Sequence, residues 1–142
     1  MAIFFNQNVK CTVNAVDLSD HVKSATLNYK FDAIEVTSMG QLAHAYIGGL
    51  QSGDVTLTFN NDTATGSVLQ TLNGLAGTTT VITLQQDKTA AISATNPKYT
   101  FTVFCDTVTP IAGDVGALGE QSVTWQISAA ATTGTGVVIA TT

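Results

Sequence analysis

The most compact group of side chains that could do chemistry is Asp17, Asp20 and His21, which lie in one short segment. Carboxylates and imidazoles are ligands of hydrolytic metal sites, but such a site needs about three or four convergent ligands and further groups that orient them. His44 could join this group only if the segment that contains it folded back. We therefore interpret residues 17–21 as a single turn with a helix-capping residue and a surface histidine, and we predict no metal site.

The remaining nucleophiles and carboxylates form no recognised catalytic pattern. No serine lies in a G-x-S-x-G nucleophile elbow. Asp32 and Glu35 are close in sequence, as the carboxylates of glycosidases can be, but a solvated strand end explains them better. The glycines of GDVGALG lack the pattern and the lysine of a phosphate-binding loop. We therefore expect no catalytic residue, no cofactor and no enzymatic activity.

The two cysteines each lie on the apolar side of an alternating strand pattern. Cys11 alternates with Val13, and Cys105 follows Phe101 and Val103. A free cysteine behaves as a small hydrophobic residue, and a disulfide is disfavoured in a reducing cytoplasm. We therefore predict that both cysteines are buried core residues.

The composition of the chain is poor in charge. Charged residues make up 11% of it, the net charge is −5, and arginine is absent, whereas soluble domains usually carry about 25% charged residues. Without basic clusters, tight binding to DNA or RNA is excluded, although an acidic surface can let nucleic acid slide past. Low charge fits a surface covered in an assembly, and it also fits threonine, present 24 times, replacing charge as the polar surface residue.

Membrane and export signals are missing from the sequence. No apolar run approaches the roughly 20 residues of a membrane span. The first residues, MAIFFNQNVK, lack the basic region and the long apolar region of a signal peptide. We therefore expect cytoplasmic synthesis and no membrane contact.

Alternation of apolar and polar residues with period two dominates the chain and predicts β-strands. There is no βαβ rhythm, and the length suits one domain covering residues 1–142. We predict a mainly β fold, an antiparallel β-sandwich or barrel-like domain with one short flanking α-helix and a long inter-strand loop. The predicted strands are Lys10–Val16, Val22–Phe31, Asp54–Asn60, Thr79–Gln86, Tyr99–Thr107, Ser122–Ser128 and Val137–Ala140.

Two segments depart from the strand pattern. Thr65–Leu75 has apolar residues at helical spacing, so we predict a helix that Thr65 caps and that ends in the region Gly74–Gly77. Residues 129–142 are small and polar. We expect this tail to be either flexible or an arm ordered by a neighbouring chain.

A long excursion separates two of the strand patterns. Asp32–Leu50 is apolar in part, and such a segment costs conformational entropy unless it packs against something. The partner we expect is another chain. The inter-subunit contact candidates are Asp32, Ile34, Val36, Met39, Leu42, His44, Tyr46, Ile47 and Leu50.

Four stretches together resemble small structural proteins of long-tailed bacteriophages, and most closely the tail tube (major tail) proteins. The resemblance runs from about Val16 to Ala129 and depends on architectural residues. The stretches are VDLSDHVKSATLNYKFDAIEVTSMGQLAHAYIGGLQSGDVTLTFNND, SVLQTLNGLAG, SATNPKYTFTV and GDVGALGEQSVTWQISA.

This resemblance implies a virion protein, made in the bacterial host cytoplasm, that self-assembles into stacked hexameric rings forming a tail tube. A tape-measure protein would occupy the lumen, tail terminator and tail-tip proteins would bind the ends, and DNA would pass through only during ejection. The long loop would reach the adjacent ring. The alternatives are a head decoration or head–tail joining protein with a similar sandwich, and a monomeric carbohydrate- or protein-binding sandwich.

Overall fold

The computed structural model describes residue 3 and residues 7–142, and these residues form eight β-strands and one α-helix. The predicted mainly β fold with one short helix is confirmed. The elements are β1 (Lys10–Val13), β2 (Val16–Asp17), β3 (Val22–Glu35), β4 (Tyr46–Asn60), α1 (Val68–Leu75), β5 (Thr79–Gln85), β6 (Lys98–Phe104), β7 (Glu120–Ser128) and β8 (Val138–Ala140).

The strands join in a single antiparallel sheet with the order β2-β1-β5-β6-β7-β4-β3. β5 pairs with β6 along its whole length, so β7 and β8 share the opposite edge of β6, one at each end. The sheet is rolled, because Leu27 of the edge strand β3 lines the same hollow as Leu84 and Tyr99 of β5 and β6. This curvature gives the sheet its barrel-like form.

The core lies on the concave face of the sheet, where the alternating apolar residues of neighbouring strands meet. In β4, Val55, Leu57 and Phe59 are buried, and they lie beside Val123 and Trp125 of β7. The indole nitrogen of the buried tryptophan donates a hydrogen bond to a backbone carbonyl at 2.8 Å, so its polar group is satisfied. The alternation in sequence therefore predicts which face of these strands is inside.

The helix α1 covers one end of this core. It ends at Leu75, in the region that the sequence predicts, but it begins at Val68. Val68, Leu72 and Leu75 are buried, as their helical spacing requires. The predicted cap at Thr65 is wrong, because the N-cap residue is Ser67. The Ser67 hydroxyl donates to the Asp62 carboxylate at 2.8 Å instead of capping the helix backbone.

The long inter-strand excursion is mostly a β-hairpin. β3 continues to Glu35 and β4 begins at Tyr46, so the connection itself is confined to residues 36–45. The predicted end of β3 at Phe31 and start of β4 at Asp54 are wrong, because the residues of this hairpin pair without strict alternation of apolar and polar side chains. Paired strands satisfy backbone groups that a loop of 19 residues would leave to water.

Both cysteines are buried and free, as the alternation predicts. Burial, together with the nearby charge of Asp17, raises the pKa of Cys11 to about 12. Burial and the charge of Asp106 raise the pKa of Cys105 to about 11. Both thiols are therefore protonated at neutral pH and poorly nucleophilic.

The C-terminal segment contributes one short strand. β8 pairs with the first half of β6, which confirms the predicted strand at Val137–Ala140 to within one residue. The order or mobility of the rest of residues 129–142 stays a prediction. No helix within the described residues is long and apolar enough to span a membrane.

We predict that Leu72→Ala lowers the free energy of unfolding by about 2–5 kcal/mol, because a fully buried side chain leaves a cavity between helix and sheet. Leu42→Ala is the matched control, since the same atoms are removed from a fully exposed side chain and the expected change is within about 0.5 kcal/mol. Urea unfolding at low protein concentration measures both. Equal effects of the two substitutions would contradict the assigned core.

Candidate assembly surfaces

The predicted cluster of ionisable groups at residues 17–21 is divided among separate partners. The Asp20 carboxylate accepts from Lys88 Nζ at 2.8 Å, and His21 Nε2 lies 3.4 Å from Asp62. Residues 19–21 form a turn, but the predicted bounds of 17–21 are wrong at the start, because Asp17 belongs to β2. Within the part of the chain that the structure describes, no three ligand-type side chains converge on one point. The cluster therefore has no geometry for holding a metal ion.

Asp17 has a local structural role in this turn. Its carboxylate accepts hydrogen bonds from the backbone N–H of Ser19, at 2.9 Å, and from the Ser19 hydroxyl. These bonds favour the ionised form and hold the pKa of Asp17 below its usual value. The carboxylate thus stabilises the turn that follows β2.

The distal part of the β3–β4 hairpin, residues 32–50, projects from the sheet, and we call it the arm. All nine inter-subunit contact candidates lie on it and all are exposed: Asp32 and Ile34 in β3, Tyr46, Ile47 and Leu50 in β4, and Val36, Met39, Leu42 and His44 in the connection. The structure therefore brings these residues onto one projecting element. Their contact with another chain stays a prediction.

The connection between the strands, residues 36–45, forms the arm tip, and hydrogen bonds close its base. The backbone of Val36 donates to the Ala45 carbonyl at 2.8 Å, and Ala45 donates to the Thr37 hydroxyl at 2.9 Å. Glu35 Oε1 accepts from that hydroxyl at 3.0 Å and lies 2.6 Å from His44 Nδ1. His44 therefore belongs to the arm and lies apart from the turn at residues 17–21.

The outer end of the tip is also ordered by local hydrogen bonds. The Gln41 side chain accepts from the backbone of Ser38 at 2.7 Å. Gly40 adopts a φ of +89°, which a residue with a side chain rarely tolerates, so glycine permits this tight reversal. Met39 and Leu42 flank the reversal and are fully exposed. The tip is thus a structured loop that presents two large apolar side chains to solvent.

The root of the arm depends on close packing between β3 and β4 at Gly53. A Cβ atom built on Gly53 would lie 2.7 Å from the Tyr29 Cα and would collide with the Asn28 carbonyl. On the other side of β4, the Gln51 side chain accepts from the backbone N–H of Val137 at 2.8 Å. The root is therefore held by backbone packing on one side and by the C-terminal segment on the other.

The convex face of the sheet carries rows of hydroxyl groups. Thr56 and Thr124 lie opposite each other on β4 and β7 with their hydroxyls 3.1 Å apart, and Thr58 and Ser122 form the next row at 3.3 Å. Thr26 extends the first row onto β3. These side chains are at least partly exposed. The convex face is thus polar with little formal charge at its centre.

β3 is an edge strand of the sheet. It runs from Val22 to Glu35 and pairs with β4 on one side, and among residues 7–142 no strand pairs with its other side. An edge strand of this length offers a row of backbone groups to another chain. The free edge of β3 is therefore a candidate for pairing between copies.

A second apolar surface lies at the opposite end of β4, and we call it the α1 cleft. It is an open cleft of about 600 Å³ between α1 and the segment of residues 110–119. That segment is a loop. The cleft is lined by Leu69 and Asn73 of α1, Pro110 and Ile111 of the loop, and Asn61 and Gly119 at the strand ends.

The fold occurs in solved particles. A chain of the virion of a native gene transfer agent (GTA) particle superposes with a TM-score of 0.70 at 8% identity, covering 94% of this chain and 95% of that one. This chain therefore has the fold of a GTA virion chain. A chain from the tail of an empty GTA particle, computed with helical refinement and C6 symmetry, gives a TM-score of 0.58 at 10% identity over 86% and 82% of the two chains.

Sequence comparison adds nothing to this structural likeness. No protein-family model and no curated protein matches the chain. At such low identity the likeness shows a shared fold, and any shared role is a matter for proposal.

The α1 cleft and the free edge of β3 were missed by the reasoning from sequence. Leu69 has the helical spacing of a core residue, yet it is only partly buried and lines the cleft. A leucine just outside the buried stripe of a short helix is a weak signal. The order of strands in an antiparallel sheet has no local signal at all, so the edge position of β3 was not predictable.

We predict that Gly53→Ala lowers the free energy of unfolding by about 1–3 kcal/mol, because the new methyl group has no space against the β3 backbone. Gly74→Ala is the control. It adds the same methyl group to α1 where no atom lies within 4 Å, and it should stabilise the protein by about 0.4–1 kcal/mol. Urea unfolding distinguishes opposite signs, and two changes of the same sign would contradict the close approach.

Proposed function

We propose that this chain is the tail tube subunit of a phage or phage-like particle, and that it self-assembles into stacked hexameric rings. The observation that carries the proposal is the near full-length structural likeness to a GTA virion chain, joined by that to a chain from a GTA tail refined with C6 symmetry. The resemblance noted in the sequence supports the same role. The protein would then be located in the tail of the virion.

The unpartnered surfaces of the chain support a role in assembly. The free edge of β3 can add a strand from a neighbouring copy, which would extend the sheet around a ring. The arm exposes large apolar side chains such as Leu50, which is 82% exposed, and exposed apolar patches commonly mark interaction sites. A ring that uses the β3 edge leaves the arm free to contact an adjacent ring.

The convex face of the sheet supports a role as a conduit. In this proposal it faces the lumen, which the tape-measure protein fills before ejection and DNA crosses during ejection. Its centre carries rows of uncharged hydroxyl groups, and the whole chain lacks arginine and has a net charge of −5. Such a wall makes few ionic bonds with phosphates, so DNA can move along it without being held.

A head decoration or head–tail joining protein is the alternative role. One of the similar chains comes from a whole virion, so the fold likeness is compatible with this role. The two roles differ in copy number. Tube subunits increase in proportion to tail length, whereas decoration proteins follow the geometry of the capsid.

We predict that the purified protein forms hollow tubes, alone or after addition of a tail-tip complex, and that end-on views show sixfold rings. Negative-stain electron microscopy and light scattering detect them. A protein that stays monomeric at high concentration with the tail-tip complex present would contradict the proposal. Single particles of capsid-like symmetry would favour the decoration role.

We also predict that removing the arm tip abolishes tube formation and leaves the fold intact. The variant with residues 38–43 deleted keeps the strand residues of β3 and β4, whereas a deletion of 39–49 would remove part of β4. Circular dichroism and urea unfolding should match the parent protein, while light scattering should show no polymer. Normal tubes from this variant would show that the tip takes no part in assembly.

A further inference from the structure

We propose that the arm tip of one copy docks in the α1 cleft of a second copy, so that copies join end to end along the direction of β4. This inference rests on the proposed function, since it names the surface that receives the arm. The tip supplies Met39 and Leu42, and the cleft supplies Leu69, Pro110 and Ile111. The partner is therefore another copy of this chain.

The two surfaces lie at opposite ends of the same strand. β4 leaves the tip at Tyr46 and reaches Asn60, and the next residue, Asn61, lines the cleft. A strand of 15 residues has a length of about 50 Å at roughly 3.3 Å per residue. Because β4 is hydrogen-bonded along this length, the tip cannot fold back into the cleft of its own chain. Only a second molecule can bring the two surfaces together.

The α1 cleft matches the tip in polarity. Its lining is uncharged and includes the partly buried Leu69 and the exposed Ile111. Two carboxylates are adjacent in sequence to lining residues, and both have partners. Asp62 accepts hydrogen bonds from Ala64 and Ser67 at the start of the helical segment, and Glu120 pairs with Lys23. The volume of about 600 Å³ is within the range of about 300–1,000 Å³ that binding pockets occupy. Two apolar side chains can therefore enter without displacing a charged group.

The tip in turn carries almost no charge that would have to be desolvated. Residues 36–45 contain one ionisable side chain, His44, and Glu35 contacts its ring. Burial of an unpaired charge is costly, whereas burial of apolar surface is favourable by about 25 cal/mol per Å². Charge thus presents no obstacle to docking at either surface.

The tip is also ordered before any partner binds. Its base is closed through Thr37 and Ala45 and its end through Gln41. Ordering a loop on binding costs free energy, and a preformed loop avoids most of that cost. Leu42 and Met39 are therefore held in position as a rigid apolar projection.

This pairing is heterologous, because one surface of a copy meets a different surface of the next. Heterologous contacts generate either closed rings or open stacks that grow by repetition. Since the two surfaces lie at opposite ends of β4, repeated docking adds copies along one direction. End-to-end docking and pairing at the β3 edge then use separate parts of the molecule.

The test is cross-linking between two single-cysteine variants. Leu42→Cys lies on the tip and Asn73→Cys lies at the rim of the cleft, both at exposed positions. The native cysteines are buried and free, so they contribute little background. Assembled mixtures of the two variants are treated with a short bismaleimide reagent. We expect a covalent dimer in the mixture and none with either variant alone.

A matched control replaces the cleft cysteine by Ala94→Cys, an exposed position away from the cleft. This variant mixed with Leu42→Cys should give no dimer above background. Tubes that form while the Leu42–Asn73 pair fails to cross-link would overturn the docking inference and leave the proposed function standing. If the mixture forms no assembly and no dimer at high concentration with the tail-tip complex present, both the inference and the proposed function are wrong.

Discussion

The structure depends on the pairing of β4 with its two neighbours. Along Asp54–Asn60 the strand pairs with β7 on one side and β3 on the other, and its alternating residues fill the concave core. On the N-terminal side of Asp54, toward the arm, β4 still pairs with β3 but no longer with β7. One strand is thus a central strand of the sheet over half its length and part of a two-stranded ribbon over the other half. Because β4 runs without interruption from the core into the arm, the orientation of the core strands sets the direction of the arm.

A two-stranded ribbon alone is marginally stable in water, so its root must be well anchored. The backbone contact at Gly53 and the hydrogen bond from Val137 to the Gln51 side chain both lie there. Beyond the root, the arm leaves much of its apolar area exposed, most of all at Met39, Leu42 and Leu50. In the proposed assembly, a neighbouring copy would bury this exposed area.

The low charge of the chain fits the proposed assembly. An isolated domain benefits from a charged surface, whereas a subunit buried on several sides would have to desolvate those charges. Hydroxyl rows such as Thr56 with Thr124 keep the convex face polar without formal charge. The two hydroxyls of such a row also hydrogen-bond to each other across the strands. Threonine is also β-branched, which favours strands, so it serves local structure and surface polarity together.

The likeness to GTA particle chains at 8–10% identity follows from the few requirements of this fold. A rolled sheet requires inward apolar residues at alternate positions, turns at suitable places and a helix that closes the end of the core. Many different side chains satisfy those requirements. No family model and no curated protein therefore matches the chain, while the backbone path is shared with a GTA virion chain almost from end to end.

The sequence by itself determined the elements whose pattern is local. Val55, Leu57 and Phe59 predicted a half-buried strand, and the spacing of Val68, Leu72 and Leu75 predicted α1 and its C-terminal end. Each depends on a periodicity that a few neighbouring residues display, as does the inward position of both cysteines.

Only the tertiary structure decided how those elements are ordered and where they end. The strand order that leaves β3 at the edge, the extension of the hairpin to Glu35 and Tyr46, and the approach of residues 110–119 to α1 all depend on contacts between distant parts of the chain. Such contacts leave no periodic trace in sequence, because many side chains can satisfy the same backbone pairing. The α1 cleft and the free edge of β3 arise from those contacts, so these two candidate surfaces became visible only in the folded molecule.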